Sequence, residues 1–279
     1  MQQSNPLSQF FRQPAIYIRL PSGGKFYPAG ALNMPPNQEL AVLPMTAVDE
    51  ITYRTPDALF NGSAIVSVIQ SCIPGIRNAW AMPSTDIDAV LVAIRIASFG
   101  HGMDMDSTCP SCNHLEEIKV DLRSINDRIQ PGNYDQSLTI GNLDFYFRPM
   151  SYHEINQNNQ IQFEQQQALR LLDDDSIEEP VKMEQLKKSM KIVNDLTVST
   201  IAQSISAIKS TDAMVTEQSF ILEYLNNCTS QTFNQLRDHV IALKQSSEVK
   251  PLDLECPECH HKYLQQFTLD LSSFFESAS

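Results

Sequence analysis

Residues 109–122 read CPSCNHLEEIKVDL, and residues 256–271 read CPECHHKYLQQFTLDL. Each begins with Cys-Pro-x-Cys and has a His two residues past the second Cys, His114 and His261. Each then runs into an alternating segment ending in Asp-Leu, at Asp121-Leu122 and Asp270-Leu271. The step from the second Cys to the Asp is 9 positions in the first copy and 11 in the second. The second arm is therefore two residues longer, and the phase of the alternation survives. A Cys-x-x-Cys turn aims two thiolates at one point, while local backbone N–H groups soften their charge. Two such knuckles on adjacent hairpins complete a tetrahedral four-sulfur site. The echo predicts a structural zinc on Cys109, Cys112, Cys256 and Cys259. Because 143 residues separate Cys112 from Cys256, the zinc ribbon is expected to be split by an insertion. Loop-closure cost grows only logarithmically with length, so an insertion that folds on its own is tolerated.

Three other readings of these cysteines stay open at the level of sequence. A thioredoxin-like redox pair opens a helix after a strand, whereas Asn or His and then a strand follow here. Disulfides conflict with a reducing cell interior. Two separate metal sites would each recruit His114 or His261. If four thiolates saturate one tetrahedral ion, both imidazoles are expected outside the coordination sphere and no position stays open for catalysis. Cys72 and Cys228 stand alone in predicted helices, and Cys72 lies on an apolar stripe as a core residue.

The chain has 279 residues, 42% apolar and 19% charged. At roughly 150 residues per domain this is one or two domains. The formal net charge is -13, which argues against a general nucleic-acid binder. Residues 1–125 carry 8 basic and 11 acidic side chains, and residues 126–279 carry 12 and 22. The acidic second half favours basic protein partners over phosphates. No apolar run approaches the roughly 18 residues of a membrane span. MQQSNPLSQFFRQP lacks the basic start and apolar core of a secretory signal, so a soluble, intracellular product is expected.

Residues 1–13 read as an arm. Ala15–Leu20 reads as a strand and Pro21–Lys25 as a turn, with Phe26-Tyr27 restarting an extended chain; Leu40–Leu43 reads as a second strand, broken by Pro44. Thr46 with Asp49 has capping-box spacing. Pro56 suits a first helical position, and Ile65, Val68, Ile69 and Cys72 recur with helical period. Ser84 suits the cap of a third helix, apolar on most faces, which Gly100 and Gly102 stop. Residues 46–99 thus form a compact helical core. Ile118, Val120 and Leu122 alternate as a strand. Thr139–Phe147 reads as a hairpin turning at Gly141-Asn142. The Gln/Asn-rich stretch 155–167 is expected to be a polar helix, and Asp173–Pro180 an acidic break. Leu186, Met190, Val193, Ile201, Ile205 and Ile208 mark one long helix; Phe233, Leu236, Val240 and Leu243 mark another.

No catalytic constellation is present. Ser22-Gly23-Gly24-Lys25 lacks the upstream Gly and following Ser/Thr of a phosphate loop, and GxGxxG, HExxH and GxSxG do not occur. His101 and His153 read as loop or capping residues, and Trp80 as packing.

The ordered runs PSGGKFYP (Pro21–Pro28), PMTAVDE (Pro44–Glu50), TPDALFNGSAIVSVIQSCI (Thr55–Ile73), DAVLVAIRIASFG (Asp88–Gly100) and the CPSC knuckle resemble the baseplate hub family of T-even-type contractile-tailed bacteriophages. The resemblance spans residues 17–125, with the CPEC knuckle in support. It implies a non-enzymatic virion or tail-assembly protein, made in the host cytoplasm, whose partners are other baseplate proteins. The expected class is α+β. Residues 1–13 are the arm, 14–104 the β-turn and helical core, 105–125 plus 251–275 the split zinc ribbon, and 126–250 a hairpin and helical insertion. The alternative function is a zinc-ribbon adaptor in a transcription or replication complex.

Overall fold

The computed structural model describes residues 5–55, 61–170 and 179–267. The fold is α+β, with helices and small antiparallel sheets. The chain divides into two compact units. The first runs to Ala79 and resumes over Thr85–Pro131 and from Glu248; the second takes Trp80–Ser84 and Gly132–Ser247.

In the first unit β1 (Ile16–Ile18) pairs antiparallel with β2 (Leu40–Val42). The expected return to extended chain at Phe26 does not occur. The turn after β1 continues through Phe26, whose φ is 70°, following Gly23 at 64° and Gly24 at 83°. The cause is a buried anchor, Asp86. Its carboxylate accepts the Ser22 N–H at 2.7 Å, the Ser22 hydroxyl at 2.6 Å and the Tyr27 hydroxyl at 3.0 Å.

Helix α1 (Ala47–Tyr53) begins with the expected capping box. The Thr46 hydroxyl accepts the Asp49 N–H at 3.2 Å, and Asp49 accepts the Thr46 N–H at 2.7 Å. Such a cap contributes about 1 kcal/mol. Arg12 closes this corner, donating to Asp49 at 3.1 Å, the Pro44 carbonyl at 2.6 Å and the Ser71 carbonyl at 2.8 Å. Arg12 is therefore built into the helical core, although it lies in the segment read as an arm. Leu7, Phe10 and Phe11 before it are exposed.

Helix α2 (Ser63–Cys72) buries the stripe Ile65, Val68, Ile69 and Cys72 completely. Pro56 lies outside the described residues. Helix α3 (Ser84–Phe99) buries every residue from Ala89 to Ile94, as its all-round apolar pattern requires. A short α4 (Leu122–Asn126) begins where the strand was expected to continue. Asp121 accepts the Arg123 N–H and caps it, which turns Leu122 into a first helical residue.

The second unit holds a four-stranded antiparallel sheet, β5 (Leu138–Ile140), β6 (Leu143–Phe147), β7 (Ile205–Lys209) and β8 (Met214–Val215), in that order. The β5–β6 turn falls at Gly141-Asn142, with Gly141 at φ 62°. The polar stretch is helical, in α5 (Tyr152–Arg170). Residues 173–178 of the expected acidic break lie outside the described residues. Pro180 is not part of a break: α6 (Glu179–Ser204) carries it in its first turn, where its missing N–H costs nothing. The long helix ends sooner than its pattern suggests. Ile205 and Ile208 belong to β7, with Ile208 opposite Phe145 and Ile205 opposite Phe147. Isoleucines at this spacing satisfy a helix stripe, and their β-branched side chains equally suit a sheet packed on Phe145 and Phe147. Cys228 is not inside a helix either; it lies in the bend between α7 (Gln218–Asn227) and α8 (Ser230–Ser247). Phe145, Phe147, Ile201, Ile205, Ile221, Leu225 and Leu236 form this unit's core.

Candidate metal centre

Both cysteine pairs sit at the tips of hairpins in the first unit. β3 (Gly102–Thr108) pairs with β4 (Leu115–Asp121), and β9 (Leu252–Glu255) pairs with β10 (Lys262–Gln265). The last rungs are Thr108 opposite Leu115 and Glu255 opposite Lys262, so each knuckle has the same six-residue length. The Cys109 N–H donates to the His114 carbonyl at 2.9 Å, and the Asn113 N–H donates to the Cys109 carbonyl at 2.9 Å. In the second knuckle the Cys256 N–H donates to the His261 carbonyl at 3.0 Å, and the His260 N–H to the Cys256 carbonyl at 2.9 Å. Asn113 at φ 57° and His260 at φ 53° close the two loops in the left-handed region. Asn and His are among the side chains that tolerate it best. The second strand was read to Asp270-Leu271, but residues beyond 267 lie outside the described ones.

The two knuckles meet. Cys109 Sγ lies 3.7 Å from Cys259 Sγ, and Cys112 Sγ lies 3.6 Å from Cys256 Sγ. All four sulfurs lie within 4.8 Å of one another, a grouping able to hold a metal ion. A tetrahedron with zinc–sulfur bonds of about 2.3 Å has edges of about 3.8 Å, so the donor set fits such an ion. The cysteines are free thiols, and sulfurs 3.6 Å apart are far beyond the bond length of a disulfide. Neither pair opens a helix, and the two pairs share one place. Neither His114 nor His261 belongs to the group. The knuckles use the His carbonyls, and the His261 ring lies parallel to Tyr263 at 6.5 Å.

Cys109 and Cys256 are buried, while Cys112 and Cys259 face solvent. Burial works to raise the Cys109 thiol, but the Cys112 and Ser111 N–H groups and the thiols of Cys112 and Cys259 outweigh it. They hold it down to about 6. Cys112 receives the His114 N–H, yet its thiol is pushed up to about 12 by its place among the other sulfurs. A thiolate at Cys109 is favoured and one at Cys112 is opposed by the neighbouring sulfurs, and a cation among them would relieve that opposition.

The hairpins are also tied below the tips. The Ser107 hydroxyl, 2% exposed, lies 2.7 Å from the Tyr263 hydroxyl and donates to Gln265 at 3.1 Å. Sequence reasoning passed over these three residues. The available signal was the alternation Met103, Met105, Ser107, which puts a hydroxyl on the inward face.

The remaining candidates lie elsewhere. Cys72 is fully buried beneath Arg12, and burial above all pushes its thiol up to about 11. The His101 carbonyl accepts the Leu122 N–H. Trp80 stacks on Tyr152 and meets the His153 ring edge-on, both at 5.6 Å.

The sequence model of a family described as T4 bacteriophage base plate protein matches residues 19–276, 258 of the 279. The chain belongs to this family. No curated protein and no solved structure matches it. Membership makes this T4-type baseplate protein a component of the virion tail baseplate, a structural setting whose partners are other baseplate proteins. It does not favour the adaptor of a nucleic-acid complex. No helix among the described residues is long and apolar enough to cross a membrane.

Proposed function

We propose that this baseplate protein is a non-enzymatic structural or assembly component of the hub region of a contractile tail, clasped by one structural zinc on Cys109, Cys112, Cys256 and Cys259. Residues 105–125 and 251–275 are the halves of its split zinc ribbon, around a helical core at 14–104 and an inserted hairpin and helical region at 126–250. The observation that carries the reading is the convergence, at one point, of two cysteine pairs that the sequence separates by 143 residues. Zinc binding there is folding energy for the whole closed loop.

The protein is assembled in the host cytoplasm and held between other baseplate proteins. Residues 1–11 are one of its contacts. Leu7, Phe10 and Phe11 are 62%, 76% and 57% exposed, immediately before an Arg12 fixed to the core. Pro6–Phe10 form a 3-10 turn on this fixed base, so the exposed aromatics are presented to a partner with little ordering left to do. Phage lacking the gene is complemented with a tagged Phe10→Ser/Phe11→Ser protein that keeps Arg12. This protein should fold and hold zinc but stay out of baseplates, while the tagged wild type labels the hub. Normal particles from the double substitution overturn the arm, and a peripheral wild-type label overturns the hub assignment.

A further inference from the structure

Helix α6 presents two faces of different character. Gln185, Ser189, Ile192 and Leu196 form one, buried or half-buried, on a helix against which α5 and α7 pack. Met183, Leu186, Met190 and Val193 form the other, spaced i, i+3, i+7, i+10 as the a and d positions of a coiled-coil seam. Met183, Met190 and Val193 are exposed and Leu186 is half-buried. At about 100° per residue the two faces point about 110° apart, so a helix covering the first leaves the second open. The open seam is about 15 Å long. Exposed thioether and branched side chains in that register are the half of a helix–helix contact that has no partner among the described residues.

The flanking charges select the occupant. With Met183 as a and Leu186 as d, Lys182 takes a g position and Lys187 an e position, with Lys191 one turn beyond Lys187. From 182 to 191 this helix has four lysines, at 182, 187, 188 and 191, against one acid, Glu184. This local excess is opposite in sign to the net charge of -13 and to the expectation that the second half attracts basic partners. A second copy of the chain would set lysine against lysine in either orientation, which e and g charges penalise.

We propose that this seam docks an amphipathic α-helix of another protein, one with apolar residues at its own a and d positions and Glu or Asp at e and g. The proposal rests on the reading that the chain works among other proteins, but its test uses the purified full-length chain and no phage. The probe is a fluorescein-labelled synthetic peptide of about four heptads, with Ile at a, Leu at d and Glu at e and g. Its counterpart has Lys at e and g. By fluorescence anisotropy the Glu peptide should bind at least about tenfold more tightly than the Lys peptide. Met190→Ser/Val193→Ser should abolish that binding, and Lys187→Glu/Lys191→Glu should reverse the preference. All four side chains lie on an exposed helix surface, so far-UV circular dichroism and zinc content should stay at the wild-type level. Absent binding, equal binding of the two peptides, or binding indifferent to Met190→Ser/Val193→Ser overturns the proposal. Self-association that the same double substitution removes would make a second copy the occupant, and would overturn it too. Failure of the arm or hub tests in phage leaves this peptide result standing, so the two readings fail separately.

Discussion

Asp86 shows how single residues fix the first unit. It is fully buried and holds the Pro21–Pro28 turn through Ser22 and Tyr27. Burial raises its carboxyl above the ordinary range, against the pull of those same hydrogen bonds. The folded state therefore binds this proton more tightly than the unfolded chain, whose value is about 4. Its contribution is complete below that value and declines as pH rises towards the folded one. Asp86→Asn removes the slope while keeping an acceptor for the Ser22 N–H. The urea midpoint at about pH 7 minus that at about pH 4 should be more positive in the variant than in the wild type. An unchanged gap between the two midpoints would refute this account. The triplet Ser22, Tyr27 and Asp86 was not legible beforehand. Its members are up to 64 positions apart in sequence, and nothing local in PSGGKFYP names the carboxylate it binds.

At the scale of elements, the two knuckles repeat one backbone solution, down to a left-handed residue four positions past the first Cys. That conformation costs a β-branched residue of order 1–3 kcal/mol and costs Gly nothing. His260→Val should lower stability by about that amount and weaken zinc retention against a chelator, while His260→Gly should match the wild type. Equal behaviour of the two variants would show that the loop does not need its positive φ. Where local chemistry was decisive, the elements could be read directly. The Thr46–Asp49 box starts α1, the Ile65–Cys72 stripe makes α2, and Gly141-Asn142 turns β5 into β6. Where two periods fitted the same residues, tertiary pairing decided. Ile205 and Ile208 match a helix stripe, yet Phe145 and Phe147 on β6 draw them into a strand. Strands β3 and β9 escaped notice although Met103 and Met105, and Leu252 and Leu254, alternate with acids: each run holds only two apolar residues, too few to stand out from loop without the paired strand.

Across the whole molecule, the second unit is inserted in sequence between segments of the first, and the two knuckles lie on either side of its main segment, Gly132–Ser247. The four cysteines were legible because their spacing is repeated. Their meeting was an inference from chemistry, since no local pattern reports a contact across 143 residues. The tie of Ser107 to Tyr263 and Gln265 was hidden for the same reason of distance. The central claim is that one zinc ion joins these knuckles. Its most direct test is the zinc content, by elemental analysis, of the full-length chain purified without chelator, beside Cys256→Ser and Cys72→Ser. One zinc is expected per wild-type chain and per Cys72→Ser chain. In Cys256→Ser the metal should be lost, with a fall in stability on the order of several kcal/mol. A wild-type chain without metal, or equal zinc loss in both variants, would contradict it.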